Sequence, residues 1–489
     1  MRKIKTILLT LYIPIMVSAQ TALSDAIDDA RFSVEVGTTI NNGATPLWLA
    51  ANKNGTVGIQ NNNAWIRTAV FRPAEADSSY NWRIGYGLDL IGGPQLTRKW
   101  SGWIQQAFID IELKKVRLSI GTKERPMELK DQELSSGSQT FGINSRPIPQ
   151  IRVEIPDYIL FSHTLPWLSI KGHFGYGMMM DGIWQRYYLK KDRHYALEAL
   201  LHSKALYLKF GNEQHFPLSF ETGIEMATIF GGKVKNAMNI KGYNFTMSHN
   251  LKSFLKAIYS GGSDPTDDQY ANAEGNTLGS LLFSLRYQAP SWYIRGYMDH
   301  FFEDHSQLFF QYGWKDYLVG IEVGLPKNRI ISKIVYEYIK TDYQSGPIYH
   351  DHTTSIPDQI SGMDNYYNHV IYQGWQYFGQ AIFTSPLYNN NKELYFSGNR
   401  FRAHHLGITS NPINKLHLRF LYTHEKNWGT YNLPYLHGSK NLNSFLFEGS
   451  YKFGKDSLKE FYLTAAIGLD NGTQIGKNKG FQLKLSKIF

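Results

Sequence analysis

The chain has 489 residues, 51 basic against 41 acidic side chains for a net charge of +10, 15% aromatic residues and no cysteine. The missing thiols exclude a disulfide framework, a zinc–thiolate site and a cysteine nucleophile. Mean hydropathy is negative although Tyr (32) and Phe (28) are abundant, which suits an outer-membrane barrel with a polar lumen, an apolar band and interfacial aromatics.

Arg2, Lys3 and Lys5 precede the apolar run Ile7 to Val17, and Val17-Ser18-Ala19 offers a small-residue cleavage site. Residues 1–19 therefore read as a secretory signal peptide, which leaves 20–489 as a single domain. The remaining basic residues are scattered, so nucleic acid is not an expected partner. Beyond the signal no run approaches the ~18 apolar residues that a membrane helix needs.

Period-two alternation starts at Phe32-Val34-Val36-Thr38-Ile40 and returns along the whole chain. It predicts strands at 32–40, 64–72, 82–90, 103–113, 116–122, 151–161, 167–178, 201–210 and 218–230. A second group falls at 278–288, 292–302, 317–325, 330–341, 399–410, 416–424, 445–453, 461–469 and 481–489. In 167–178, Leu168, Ile170, Gly172, Phe174, Tyr176 and Met178 share the face expected to meet lipid. Ser169, Lys171, His173, Gly175 and Gly177 share the other.

Short turns such as 114–115, 289–291 and 411–415 alternate with long segments such as 123–150, 231–277 and 342–398. Short periplasmic turns opposite long extracellular loops are the barrel asymmetry, and an even strand count leaves both termini in the periplasm. The fold class is therefore all-β, a transmembrane outer-membrane barrel of about 18 antiparallel strands. Its last strand carries Phe481, Leu483, Leu485 and Phe489 at one parity, a pattern resembling the signal read by the barrel-assembly machinery.

A barrel of this size is an open pore unless something fills it. Loops and short helices are expected to do so, with helical pieces at Met127–Leu134, 249–259 and within 45–59. The Gly/Ser-rich segment Lys123–Gln150 is the candidate lumen plug, with Ser135, Gly137 and Gly142 allowing close approach and Arg146 supplying a donor fork for carboxylates or backbone carbonyls of neighbouring loops.

No G-x-S-x-G, H-E-x-x-H, Walker A or G-x-G-x-x-G motif is present, so no catalytic residue, cofactor or metal site is expected. His350-Asp351-His352 reads as solvated loop, and His404-His405 point to opposite faces of a strand. Flat rings beside amides, imidazoles and carboxylates suit carbohydrate. That marks Trp314, Asp351, His352, Asp364, Asn365, Tyr366, Tyr367, Trp375 and Trp428 as candidate glycan contacts on an extracellular surface. Girdle or plug-packing aromatics are the competing reading of the same rings.

Several runs carry a family resemblance: 303–328 (EDHSQLFFQYGWKDYLVGIEVGLPKN), 336–369 (YEYIKTDYQSGPIYHDHTTSIPDQISGMDNYYNH), 144–156, 399–408, 427–431 and 45–58. Together they resemble the capsule assembly Wzi family, in its Bacteroidetes branch. The resemblance implies an 18-stranded outer-membrane barrel occluded by loops and a helical element. It further implies a lectin-like protein that holds capsular or surface polysaccharide at the cell surface, among outer-membrane lipid and lipopolysaccharide. A porin or specific transport channel is the alternative use of such a barrel, and an outer-membrane hydrolase a third.

Overall fold

The computed structural model describes residues 29–59, 62–74, 82–95, 98–213, 215–259, 275–303, 314–326, 328–349, 360–383, 393–454 and 460–489. The expected signal peptide lies outside them. Eighteen strands form one closed antiparallel sheet. They are β1 Arg31–Asn42, β2 Asn63–Arg72, β3 Trp82–Gln95, β4 Arg98–Leu113, β5 Val116–Thr122 and β6 Gln150–Ser162. Next come β7 Leu165–Met178, β8 Leu200–Phe210, β9 Leu218–Phe230, β10 Asn276–Gln288, β11 Tyr293–Phe302 and β12 Tyr317–Gly324. The last six are β13 Lys333–Lys340, β14 Phe401–Ile413, β15 Leu416–Asn427, β16 Lys440–Phe453, β17 Phe461–Gly472 and β18 Asn478–Ile488.

Each strand pairs with its neighbour in sequence, and β1 closes on β18 with Gly37 opposite Lys484. No backbone edge is left to satisfy, which is the condition for crossing lipid with strands. The alternation sorts the two faces. Phe32, Val34, Val36, Ile84, Leu88, Phe447 and Ile467 are exposed on the outside. Asp89, Glu225, Asp299, Glu337 and Glu425 are buried on the inside. On β7, Phe174 is exposed, whereas His173 packs its ring 5.4 Å from Phe141 inside the barrel. Stacked outward rings such as Phe453 on Phe461 (4.8 Å) belong to the aromatic belt at the periplasmic end.

Three loops fold inward and fill the lumen. The β1–β2 loop carries helix α1 (Leu47–Ala50), all four of whose residues are buried. The Leu47 N–H donates to the Asp470 carboxylate of β17 at 3.1 and 3.3 Å, and Trp48 Nε1 donates to Thr423 of β15 at 3.1 Å. The β5–β6 loop crosses to the opposite wall, where Gly407 admits it: a Cβ there would stand 2.6 Å from the Leu134 carbonyl oxygen. The β13–β14 loop covers the β5–β6 loop, the Gly142 N–H donating to the Ile382 carbonyl at 3.1 Å.

Among the described residues two further α-helices lie outside the wall pattern, α2 (Gly182–Tyr188) and α3 (Leu251–Tyr259). The first falls in a segment whose sequence reads only as loop; Trp184 and Tyr188, one turn apart, stack at 4.5 Å and hold it. Met127–Leu134, in contrast, is not helical. The Asp131 carboxylate takes the N–H groups of Glu133 (3.0 Å) and Leu134 (2.8 Å), and Leu129 has φ 52°. Local side-chain bonds have displaced the helical ladder.

Two outcomes follow. Ile467→Arg, on the lipid face of β17, should cost about 2–4 kcal/mol of barrel stability. Thr464→Arg, facing the lumen on the same strand, should cost less, as read by heat-modifiable mobility after refolding into vesicles. Glu337→Ala should strand buried donors, each costing about 1–3 kcal/mol, and limited proteolysis should then cut the β5–β6 loop in an otherwise intact barrel.

Candidate functional site

The site is built from the inner wall outward. Glu337 projects into the lumen from β13 with no exposure to solvent. It accepts the Ser135 hydroxyl at 2.7 Å, the Ser136 N–H at 2.7 Å and the Tyr297 hydroxyl at 2.6 Å. Asp299 of β11 takes Lys130 Nζ at 2.9 Å and the Gln139 N–H at 3.2 Å. Thr140 and Ser280 share a hydrogen bond of 2.8 Å, and His405 Nε2 lies 2.8 Å from the Leu134 carbonyl. The segment is thus held against four separate strands, β10, β11, β13 and β14.

Gly137 sits at φ 132° within this buried run. At Gly142 a Cβ would meet the Ile382 oxygen at 2.9 Å. Arg146 differs from the sequence expectation. Its guanidinium does not clamp a carboxylate; it lies between the rings of Trp103 (4.1 Å) and Phe378 (4.7 Å). Burial there pulls its pKa down to about 10.

The β13–β14 loop supplies the layer above. Tyr366, Tyr367 and Trp375, candidates for glycan stacking, are all at most 1% exposed. Tyr367 lies flat on Phe383 at 3.5 Å and against Phe301 at 4.7 Å. The Tyr366 hydroxyl donates to Asp316 at 3.0 Å, and the same carboxylate receives the N–H groups of Tyr343 and Gln344. Burial pushes Asp316 up to about 6. Rings whose faces are already covered cannot stack on a polymer outside, so these three are plug packing.

At the mouth the picture changes. Asp364 and Asn365 are half-buried at the rim. The Asn365 side-chain oxygen accepts Asn368 (2.9 Å) and Asn399 (2.7 Å), and its amide nitrogen donates to the Tyr395 hydroxyl at 3.0 Å. That hydroxyl reaches Thr430 of the β15–β16 loop at 3.4 Å. The Arg400 guanidinium covers the Tyr431 ring at 3.7 Å, and Trp428 stands between Arg402 (5.5 Å) and Lys426 (5.4 Å). Amides, hydroxyls, a guanidinium and partly open rings therefore meet on one edge.

The other candidates do not join it. Trp314 stacks on His300 at 4.8 Å and Phe283 at 5.7 Å, on the outer wall, so it is a girdle ring. Asp351 and His352 lie outside the described residues. Tyr395, Arg400 and Thr430 were not marked by their sequence surroundings. The available signal was register: Phe401 opposite Asn427 brings the ends of two loops together.

The model of the family described as capsule assembly protein Wzi matches residues 52–395. A sequence search of curated proteins returns no match. Among solved structures, the chain is similar to Wzi of Escherichia coli, an outer membrane protein involved in group 1 capsule assembly that is a carbohydrate-binding β-barrel. The two share 14% identity over 96% of this chain and 86% of that one, with TM-score 0.56. OccK9 (TM-score 0.46, 10% identity, 95% and 99% covered) and OprD (0.45, 10%, 94% and 93%), both of Pseudomonas aeruginosa, are too dissimilar to carry an argument. The family match spans well over half of the residues, and the chain belongs to the capsule assembly protein Wzi family.

Proposed function

We propose that this outer-membrane barrel is a non-enzymatic, lectin-like protein that attaches or organises capsular polysaccharide at the cell surface. The observation that carries the reading is the half-open rim network of Asn365, Asn368 and Tyr395, backed by the buried Thr430 and beside the Tyr431 ring, set over a filled lumen. Sugar recognition needs hydroxyl partners of both kinds and an apolar plate, and the rim supplies all of them. Each contact is modest, but a repeating polymer engages many copies and multiplies them. The carbohydrate binding described for the Escherichia coli Wzi barrel points the same way.

The filled lumen speaks against a porin. Segment Ser135–Gly142 with Arg146 acts as the plug, since its contacts reach β10, β11 and β13. The lipid surface hosts the wall, and β18, with Phe481, Leu483 and Leu485 on its outer face, is offered to the barrel-assembly machinery.

Two measurements test this. Trp428→Ala with Tyr431→Ala and Arg400→Gln should leave the barrel inserted while cell-associated capsule falls about tenfold, equivalent to about 1.4 kcal/mol. Unchanged retention would move the site elsewhere. Deleting Ser135–Gly142 should raise single-channel conductance in a planar bilayer; a folded deletion variant that stays closed would remove the plug role.

A further inference from the structure

The outer wall carries a row of cations that the plug does not employ and that borders the rim at Trp428. Lys340 of β13, Arg402 of β14 and Lys426 of β15 are direct cross-strand partners. Their chain neighbours Ile339, Ala403 and Glu425 are buried in the lumen, so the three cations point outward. Adjacent strands lie about 4.8 Å apart, which sets the three charges within about 10 Å. Like charges directly opposite one another destabilise a sheet, so the arrangement calls for a counter-charge.

Among the described residues one carboxylate pairs with the row. Asp342 receives Arg402 Nη2 at 2.6 Å and lies 3.9 Å from Lys340 Nζ. Lys426 has no acidic partner among the described residues and rests 5.4 Å from the Trp428 ring. The row therefore keeps a net excess of two positive charges on the membrane side of the extracellular edge.

Depth is legible from the rows beneath it. One step toward the membrane centre the same strands present Tyr338, His404 and His424, with the Tyr336 hydroxyl 2.8 Å from His404 Nδ1. The next row is Tyr336, Leu406 and Tyr422, and the one below it Ile334, Ile408 and Phe420. Phenol and imidazole belong at headgroup level and aliphatic side chains in the hydrocarbon. The cations above that belt thus stand where the outer leaflet carries its phosphates.

We propose that Lys340, Arg402 and Lys426 form a binding site for the phosphorylated headgroup of an outer-leaflet glycolipid. Arg402 offers a planar fork suited to two phosphate oxygens, whereas the lysines act as point charges on either side. Basic clusters at the membrane surface recognise anionic headgroups in this way. Acyl chains of the same lipid would lie down the apolar rows of β13–β15, so the site takes the lipid and not the free anion.

Native mass spectrometry of the whole protein in detergent micelles tests it, using diphosphoryl lipid A and the same lipid stripped of both phosphates. The wild type should retain the diphosphoryl form at least about tenfold better. Lys340→Gln with Arg402→Gln and Lys426→Gln should abolish the preference, and Lys426→Gln alone, which disturbs no ion pair, should reduce it about threefold. Excess inorganic phosphate should not displace the lipid. Equal retention of both lipids by the wild type, a preference that survives in the folded triple variant, or displacement by inorganic phosphate would each overturn the assignment. The two-lipid comparison needs no variant, so a folding failure in the triple substitution leaves the test intact.

Discussion

A carboxylate buried in a closed lumen must be given donors, and Glu337 is where this protein meets that demand. Four neutral groups, the Ser135 and Ser136 hydroxyls, the Ser136 N–H and the Tyr297 hydroxyl, approach it at 2.5–2.7 Å. Three come from the β5–β6 loop and one from β11 of the wall. Satisfying the charge therefore also pins the loop across the barrel. Asp299 and Lys130 repeat the device two strands away. The closed sheet fixes where these acids stand, the acids fix where the loop runs, and the loop fixes the floor on which the β13–β14 loop packs Tyr366, Tyr367 and Trp375. The plug completes the inner surface those rings bury against, beside Phe301 of the wall.

A filled barrel has a different use from an empty one. Its wall becomes a rigid mount, and what it presents is the edge where the β13–β14 and β15–β16 loops meet. There Asn365, Asn368, Tyr395, Arg400 and Tyr431 remain half open over the buried Asn399 and Thr430, the condition for a surface that binds many weak ligands in series. Membership of the Wzi family and this geometry lead to the proposed account: the interior supplies stability, and the rim is the proposed contact with polymer. The cation row on the outer wall would add a hold on the surrounding leaflet, directly below the rim.

Much of this was legible in the sequence, because lipid on one side and polar lumen on the other force a period of two. All eighteen strands fall where alternation places them, and the long loops fall at one end. Side-chain direction within strands was equally readable: His404 meets Tyr336 outside while His405 meets Leu134 and Thr423 inside. Loop direction was not. Tyr366, Tyr367 and Trp375 look like exposed sugar platforms when only their polar neighbours are considered. The counter-signal was the company they keep, since Ile371, Tyr372, Tyr377, Phe383 and Phe396 are too many apolar groups for a solvated loop. Trp314 was misjudged for another reason: it precedes β12 and turns outward onto rings of β10 and β11, a contact that register creates. Arg146 lies among rings because Trp103 and Phe378, distant in sequence, close on it.

The central claim is that polymer meets the rim while the plug stays as it is. Hydrogen–deuterium exchange on the reconstituted barrel, with and without the organism's own capsular polysaccharide, separates the two. The account predicts slower exchange at 364–368, 395–400 and 428–431, with 130–142 unchanged. Protection confined to 130–142, or none at the rim under saturating polysaccharide, would contradict it.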